Sequence, residues 1–328
     1  MEECFLERCD KVIADMGAGL VKKKDGDLYC DTTIRTMKQN IKLIRSFVSI
    51  KAEVLKMKDV DKNFVDAFHQ FLLDKNLAKN TISGRLDGLR FWIKRFHAEK
   101  LMDYKGEVGK YPSEITTAIS LSIEELKALY VMKLPEGQRK VLDIFICQSF
   151  LGLRVGDMFK FLHNINCRKR TFEEQVFFEI HTGKKCYPVV IPAATIVMTI
   201  IEKYGNSLQK GFSESHYNIT LKKIVAKSTI DREVAFFRTE GGRKTEKIVQ
   251  LSSLISSHTA RRTFATNGYL SGISPFDLMK ITGHRSLQSF FRYMRCDNIA
   301  VAFKISSHKF FRIKFSEPEV LEEELILS

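Results

Sequence analysis

Several absences narrow the reading of this sequence before any motif is considered. The seven cysteines (Cys4, Cys9, Cys30, Cys147, Cys167, Cys186, Cys296) are odd in number and none stands in a Cys-x-x-Cys pair. That argues against a disulfide framework and a zinc knuckle, and fits a reducing cytoplasm. No apolar run approaches the ~18 residues of a membrane-crossing helix. The opening MEECFLERCDKV is charged from its second residue, unlike a secretory leader. There is no internal repeat, no low-complexity tract and no carboxylate constellation arranged for two metal ions. The expectation is a cytoplasmic protein with no membrane segment, no metal and no cofactor.

What the sequence has in excess is positive charge. The formal net charge is +14, with 53 Lys and Arg against 39 Asp and Glu, and the pI is near 9.4. Residues 316–328 hold five Glu and no Lys or Arg, so setting that tail aside leaves +19 on residues 1–315. Charge of this sign points to a polyanion, because Lys and Arg neutralising phosphates supply most sequence-independent nucleic-acid affinity. A well-solvated basic surface would look the same, so charge alone does not identify a partner.

With 328 residues the chain is long for one core and comfortable for two. Residues 1–103 read as helix throughout. Ile34, Met37, Ile41, Ile44 and Phe47 recur at three- and four-residue steps, the period of an amphipathic helix. Asn80 is read as the cap of a helix in which Arg85, Arg90, Lys94, Arg95 and Lys100 surround a stripe of Leu86, Leu89, Ile93 and Phe96. Residues 104–117, with two glycines, a proline and no sustained period, read as a linker.

A second helical domain is expected over 118–315, opening on a capping box of Ser122 and Glu125. Within it QVFFEI and YPVVIP, either side of HTGKKC, predict a hairpin. Further on, Ser274 caps a helix with Pro275 in its first turn and Gly283 as its terminator. The fold class is therefore mainly α with a small antiparallel β-sheet, in two domains.

Three short segments carry the chemistry. LGLRVGD supplies Arg154 with Asp157 three residues on, HTARRTF sets His258 three residues before Arg261, and GHRSLQSFFRYM sets His284 nine residues before Tyr293. Arginine stays protonated and its planar fork binds two oxygens, which suits charge building on a phosphate. Residues three apart on a helix share a face, so His258 and Arg261 can address one ligand, and Asp157 can hold Arg154. A tyrosine of ordinary pKa ~10 attacks poorly without help from a cation or base. Any one of these residues alone would more often be surface or core.

In this order and spacing the segments resemble the active site of the tyrosine recombinase (phage integrase) family, over roughly residues 118–300 and more loosely over the N-terminal part. The resemblance implies a site-specific recombinase that cleaves and rejoins duplex DNA through a 3′-phosphotyrosine, in integration, excision or inversion. Arg154 and Arg261 would bind the phosphate, Tyr293 attack it, His258 transfer protons, and His284 bond to the phosphate or assist its protonation. The family commonly has histidine after the second arginine, whereas this chain has Arg262, as do some prokaryotic mobile-element integrases. The family's general-acid lysine falls in the hairpin turn, where Lys184 is favoured by counting back from Ile191-Pro192 and Lys185 and His181 stay open.

The N-terminal bundle resembles the SAM-like core-binding domain, with Asn80, Thr81, Arg85, Arg90 and Lys94 as DNA-facing candidates. The two domains would clamp double-stranded DNA, without an arm-binding domain, and self-assemble on it as a tetrameric synapse. An accessory DNA-bending protein is a compatible further partner, and the setting would be the cytoplasm, at the nucleoid. The apolar residues of the acidic tail suggest a helix docking on a neighbouring protomer. The rivals are a catalytically inactive DNA-binding relative, a metal-dependent nuclease or transposase, and a type IB topoisomerase-like activity.

Overall fold

The computed structural model describes residues 3–51, 54–105, 110–114, 117–182, 187–205, 208, 213–294 and 298–306. The chain forms two compact units, one of residues 1–117 with 235–248, the other of 118–234 with 249–328.

In the first unit, four long helices, α1 (Phe5–Gly17), α2 (Asp31–Val48), α3 (Lys62–Asp74) and α4 (Lys79–Ala98), enclose one core. The predicted periodicity is what packs: Ile41, Ile44 and Phe47 of α2 and Leu86, Leu89, Ile93 and Phe96 of α4 are buried, with Trp92 and Phe68 fully inside. Helices α2 and α4 approach closely at Gly88, where any Cβ would collide with Asn40, whose amide donates to Arg85 O at 3.2 Å.

Asn80 is not the cap expected of it. Helix α4 starts at Lys79 behind Ala78, and the Asn80 side chain instead brackets the backbone of Glu114. It accepts from Glu114 N at 2.8 Å and donates to Glu114 O at 3.0 Å. Ser83 Oγ likewise donates to Tyr111 O at 2.9 Å. The described part of the expected linker is therefore tied to this unit by paired polar groups.

A second hairpin, β4 (Glu233–Glu240) and β5 (Arg243–Gln250), has no counterpart in the sequence reading, which gave these residues no element of their own within the second domain. Its residues 235–248 group with the first unit. Gly241 N donates to Leu77 O at 3.1 Å, and Glu114 accepts from Thr239 N at 3.0 Å and from the Thr239 hydroxyl. Its turn is Gly241-Gly242 with φ of 53° and 81°, the conformation a two-residue hairpin needs and glycine supplies. Strand β5 is exposed on both faces, so the alternation that announces a strand is missing.

The second unit opens with α5 (Ile123–Tyr130), capped by Ser122 and Glu125 as expected, and α6 (Glu136–Leu151). Helices α7 (Val155–His163) and α8 (Ile165–Arg168) lead into strands β1 (Lys169–Phe172), β2 (Gln175–Thr182) and β3 (Tyr187–Pro192), antiparallel in that order. The β2–β3 pairing runs from Phe177 opposite Pro192 to Thr182 opposite Tyr187, so the predicted hairpin is present with one strand added. Phe178, Ile180, Val189 and Ile191 alternate inward onto the core. Then follow α9 (Thr195–Tyr204), α10 (Glu214–Val225), α11 (Leu251–Leu254), α12 (Ser257–Leu270), α13 (Pro275–Thr282), α14 (Leu287–Met294) and α15 (Asn298–Ser306).

Helix α6 is buried along most of its length. Its Asp143, fully inside, accepts from Arg139 Nε at 2.8 Å, Tyr204 Oη at 2.8 Å and Lys203 Nζ at 3.0 Å. Burial pushes that carboxyl up, but the three donors outweigh it and hold it below the usual range. The α6–α9 contact is thus locked by a compensated charge.

Candidate active site

Three helix junctions of the second unit bring the predicted residues together. The first is the end of α6, where Gly152 turns left-handed (φ 65°) and Arg154 stands just before α7. Only glycine fits here, because a Cβ would meet the Phe264 ring. Buried Gln148 fixes this turn, donating to Leu153 O at 2.9 Å and accepting from Tyr217 Oη at 3.0 Å. The second junction is the start of α12, with His258, Arg261 and Arg262. The third is the α13–α14 turn, with His284, reached through Gly283 in the left-handed conformation (φ 63°) as expected, and Tyr293 on the helix beyond.

Arg261 links the three. It is 2 % exposed, donates from Nη1 to Gly152 O at 2.6 Å and from Nη2 to Thr282 O, and its charge acts on Tyr293. Burial, and then the charge of Arg154, push its pKa down to about 10, so it still carries its proton at neutral pH. Arg154 is exposed, and its charge acts on Arg261, His258, His284 and Tyr293. Asp157 is buried in the first turn of α7, and its carboxylate acts on Arg261.

Tyr293 is half-buried. Its hydroxyl reaches His258 O at 3.4 Å, its ring lies 5.0 Å from the His284 ring, and the Arg262 guanidinium lies over it at 5.2 Å. Burial pushes the phenol above its ordinary pKa, while Arg261, Arg262 and Arg154 pull it back. Helix α14 is anchored behind this residue, because Thr266 of α12 donates to Met294 O at 2.8 Å.

His284 is lowered to about 4 by burial and by Arg261 and Arg154, so it is neutral. Its tautomer follows from Thr282, whose hydroxyl donates its one proton to Leu278 O at 2.6 Å and lies 2.8 Å from His284 Nδ1. Nδ1 must then carry the proton and donate to that hydroxyl, leaving the Nε2 lone pair open. His258 is exposed on the first turn of α12, and partial burial, Arg262, Arg261 and Arg154 lower it, against Glu214.

The remaining candidates divide. Lys184 and Lys185 lie outside the described residues, as does the acidic tail. His181, exposed at the end of β2, has Nδ1 at 3.0 Å from Arg168 Nη1, so that nitrogen accepts. In the first unit Thr81 and Lys94 are exposed and Arg85 is half-buried, while Arg90 is paired with Asp87 at 2.9 Å. At about 100° per residue, Thr81 and Arg85 fall on one flank of the buried stripe of α4, and Arg90 and Lys94 on the other. Gly152, Thr266 and Thr282 were missed from the sequence, because they act through backbone carbonyls and a tautomer. Among the described residues no group of His, Cys, Asp and Glu is placed to hold a metal, and no helix is long and apolar enough to cross a membrane.

Residues 20–107 match the family model of the phage integrase SAM-like domain. The chain is 26 % identical over 249 residues to the tyrosine recombinase XerC of Syntrophus aciditrophicus, covering 72 % of this chain and 76 % of that one. To XerC of Oceanobacillus iheyensis it is 23 % identical over 313 residues, 86 % of this chain and 96 % of that one. Among solved structures it is similar to the Tn1549 transposon integrase in complex with circular-intermediate DNA (TM-score 0.63, 11 % identity, 94 % and 99 % covered). It is also similar to the XerH site-specific recombinase bound to its difH substrate in a post-cleavage complex (TM-score 0.60, 14 % identity, 93 % and 85 % covered). At these identities the structural likeness establishes the fold.

Proposed function

We propose that this chain, which carries a phage integrase SAM-like domain and has the fold of the tyrosine recombinases, is a site-specific recombinase that breaks and rejoins duplex DNA through a phosphotyrosine at Tyr293. The observation that carries this reading is the convergence of Tyr293, Arg261 and His284 at one point, under the charge of Arg154.

Arg154 and Arg261 would grip the non-bridging oxygens of the scissile phosphate, where negative charge builds as the nucleophile arrives. Arg261 enters already oriented, its donors toward Gly152 and Thr282 holding the guanidinium plane. The Tyr293 oxygen bonds to phosphorus, the bond to the 5′-oxygen breaks, and Lys184 gives that oxygen a proton. The phenol proton passes to a neighbouring base, His258 or the open Nε2 of His284. In this tautomer His284 is an acceptor, which suits proton capture more than donation to a phosphate. Rejoining reverses these steps with a new 5′-hydroxyl, and the ester linkage conserves the bond energy, so no nucleotide is consumed.

In the first unit we assign phosphate contacts to Thr81 and Arg85, which share one flank of α4, while Lys94 lies on the other flank, Arg90 is held by Asp87 and Asn80 by Glu114. A tetrameric synapse on DNA, assembled through the C-terminal tail, completes the reading. Removal of residues 316–328 is expected to leave single-site binding intact and to reduce strand exchange.

The test uses a nicked duplex built from the junctions flanking the gene. Wild-type protein is expected to become trapped on it covalently, with the linkage mapping to Tyr293. Tyr293→Phe is expected to bind the same DNA within about twofold and form no covalent product. A linkage at another residue, or strand breakage that stops in chelator, would overturn the proposal.

A further inference from the structure

Arg262 has no place in the phosphate clamp described above, yet its surroundings are specific. Its guanidinium carbon lies 5.2 Å from the centroid of the Tyr293 ring. It is half-buried, and its Nε is fully buried without a hydrogen-bond partner among the described residues. A buried N–H that meets no acceptor is uncommon and calls for an explanation. Here the group it meets is an aromatic face, which attracts a cation through the ring quadrupole.

We propose that Arg262 is a positioning residue for Tyr293: it holds the phenol ring in the site and favours the attacking phenolate. This rests on the reading of Tyr293 as the nucleophile. The ring needs such a hold, because the contact of its hydroxyl to His258 O is long, at 3.4 Å. Arginine suits the task where histidine would not. Its charge is permanent, its plane stacks on a ring, and a histidine among these cations would be neutral. Burial raises the Tyr293 phenol and the three arginines pull it back.

The groups that face Tyr293 are Arg261, Arg262 and His258 from α12, Arg154 from the α6–α7 turn, and His284 from the α13–α14 turn. Arg262 also lowers His258, so a pH profile alone would mix two effects. A direct titration of the phenol separates them.

The experiment compares wild type with Arg262→Met and Arg262→Lys in the full chain. The rate of covalent trapping on the nicked duplex is measured from pH 6 to 10, with DNA affinity alongside. The phenol is titrated by ultraviolet difference against the matching Tyr293→Phe proteins. A cation over an aromatic face in a partly buried setting corresponds to about twofold to thirtyfold. Arg262→Met is therefore expected to trap about tenfold more slowly at pH 7 with DNA affinity within twofold. Its phenol midpoint should rise by about one unit. Arg262→Lys, which keeps the charge, is expected to fall between the two.

An unchanged phenol midpoint overturns the inference. So does a loss of DNA affinity equal to the loss of trapping, which would make Arg262 a phosphate contact. If wild-type protein forms no phosphotyrosine, the recombinase reading fails, and the phenol titration still decides whether Arg262 acts on Tyr293.

Discussion

Arg261 is the residue whose replacement couples chemistry to stability, and Arg261→Lys separates the two. The guanidinium is buried and donates to Gly152 O and Thr282 O, carbonyls at the ends of α6 and α13. An ammonium presents three donors from a single atom and cannot reach both carbonyls while also facing a phosphate. One buried carbonyl therefore loses its donor, at about 1–3 kcal/mol. For a unit of this size that corresponds to a fall in Tm of roughly 2–4 °C per kcal/mol. Catalysis should suffer more, because loss of one oriented donor to a developing anion costs about 10²–10³ in rate. The check is a pair of measurements: thermal unfolding without DNA, and single-turnover trapping at a temperature where the variant is fully folded. Arg261→Met loses both carbonyl contacts but also the repulsion with Arg154 that lowers the arginine, so its Tm should lie below that of Arg261→Lys by less than a second full step. If Arg261→Lys unfolded like wild type and trapped DNA within about threefold of it, the account of Arg261 as both brace and clamp would be refuted.

His284 is lowered to about 4 in the fold against an ordinary 6.5, so the unfolded chain binds the extra proton first. Its contribution to stability is complete above pH 6.5 and declines as pH falls toward 4, by about 1–2 kcal/mol after solvent screening; urea denaturation at pH 7.5, 6 and 5 should show this slope, and His284→Asn should flatten it. Thr282→Val removes the acceptor that fixes the His284 tautomer, so nitrogen chemical shifts should report a mixture and trapping should fall about tenfold with binding unchanged; a single retained tautomer would contradict the hydrogen-bond assignment. In the β1–β2 turn, Glu173 and Glu174 have φ of 46° and 64°, a conformation that disfavours both, so the double change to Asn and Gly should raise stability by about 0.5–2 kcal/mol. An unchanged or lower midpoint would mean the turn is not strained.

Legibility followed physical lines. Helices α2 and α4 were readable because a face buried against one core must repeat at the helical period, and Ile41, Ile44, Leu86 and Phe96 do so. Strands β2 and β3 were readable because Phe178, Ile180, Val189 and Ile191 alternate inward. Strands β4 and β5 were not, since β5 is exposed on both faces, β4 alternates only between exposed and half-buried positions, and only Gly241-Gly242 marked the turn. Asn80 misled for a different reason. A side chain with one acceptor and two donors can cap its own helix or bracket a distant peptide group, and local sequence does not distinguish them.

The residues of the site were legible because their chemistry restricts residue type: phosphate charge calls for arginine, and attack calls for a tyrosine at a fixed distance from its turn. Their supports carried no such signal. Gly152 serves through its carbonyl, which every residue has, and is restricted to glycine only because α6 must end left-handed beneath Phe264. Thr282 serves through a hydroxyl already given to Leu278 O, and that prior donation is what turns it into an acceptor for His284. Both supports depend on where a second partner lies in space, so they emerge only once the three junctions are assembled. Arg262 lies between these cases. Its charge was visible in the sequence, but whether it addressed DNA or another side chain depended on the ring it covers. On the proposed reading, a permanent cation aimed at the face of the nucleophile would act on the phenolate without contacting the phosphate. The basicity of the site would then be divided between holding the substrate and preparing the attack.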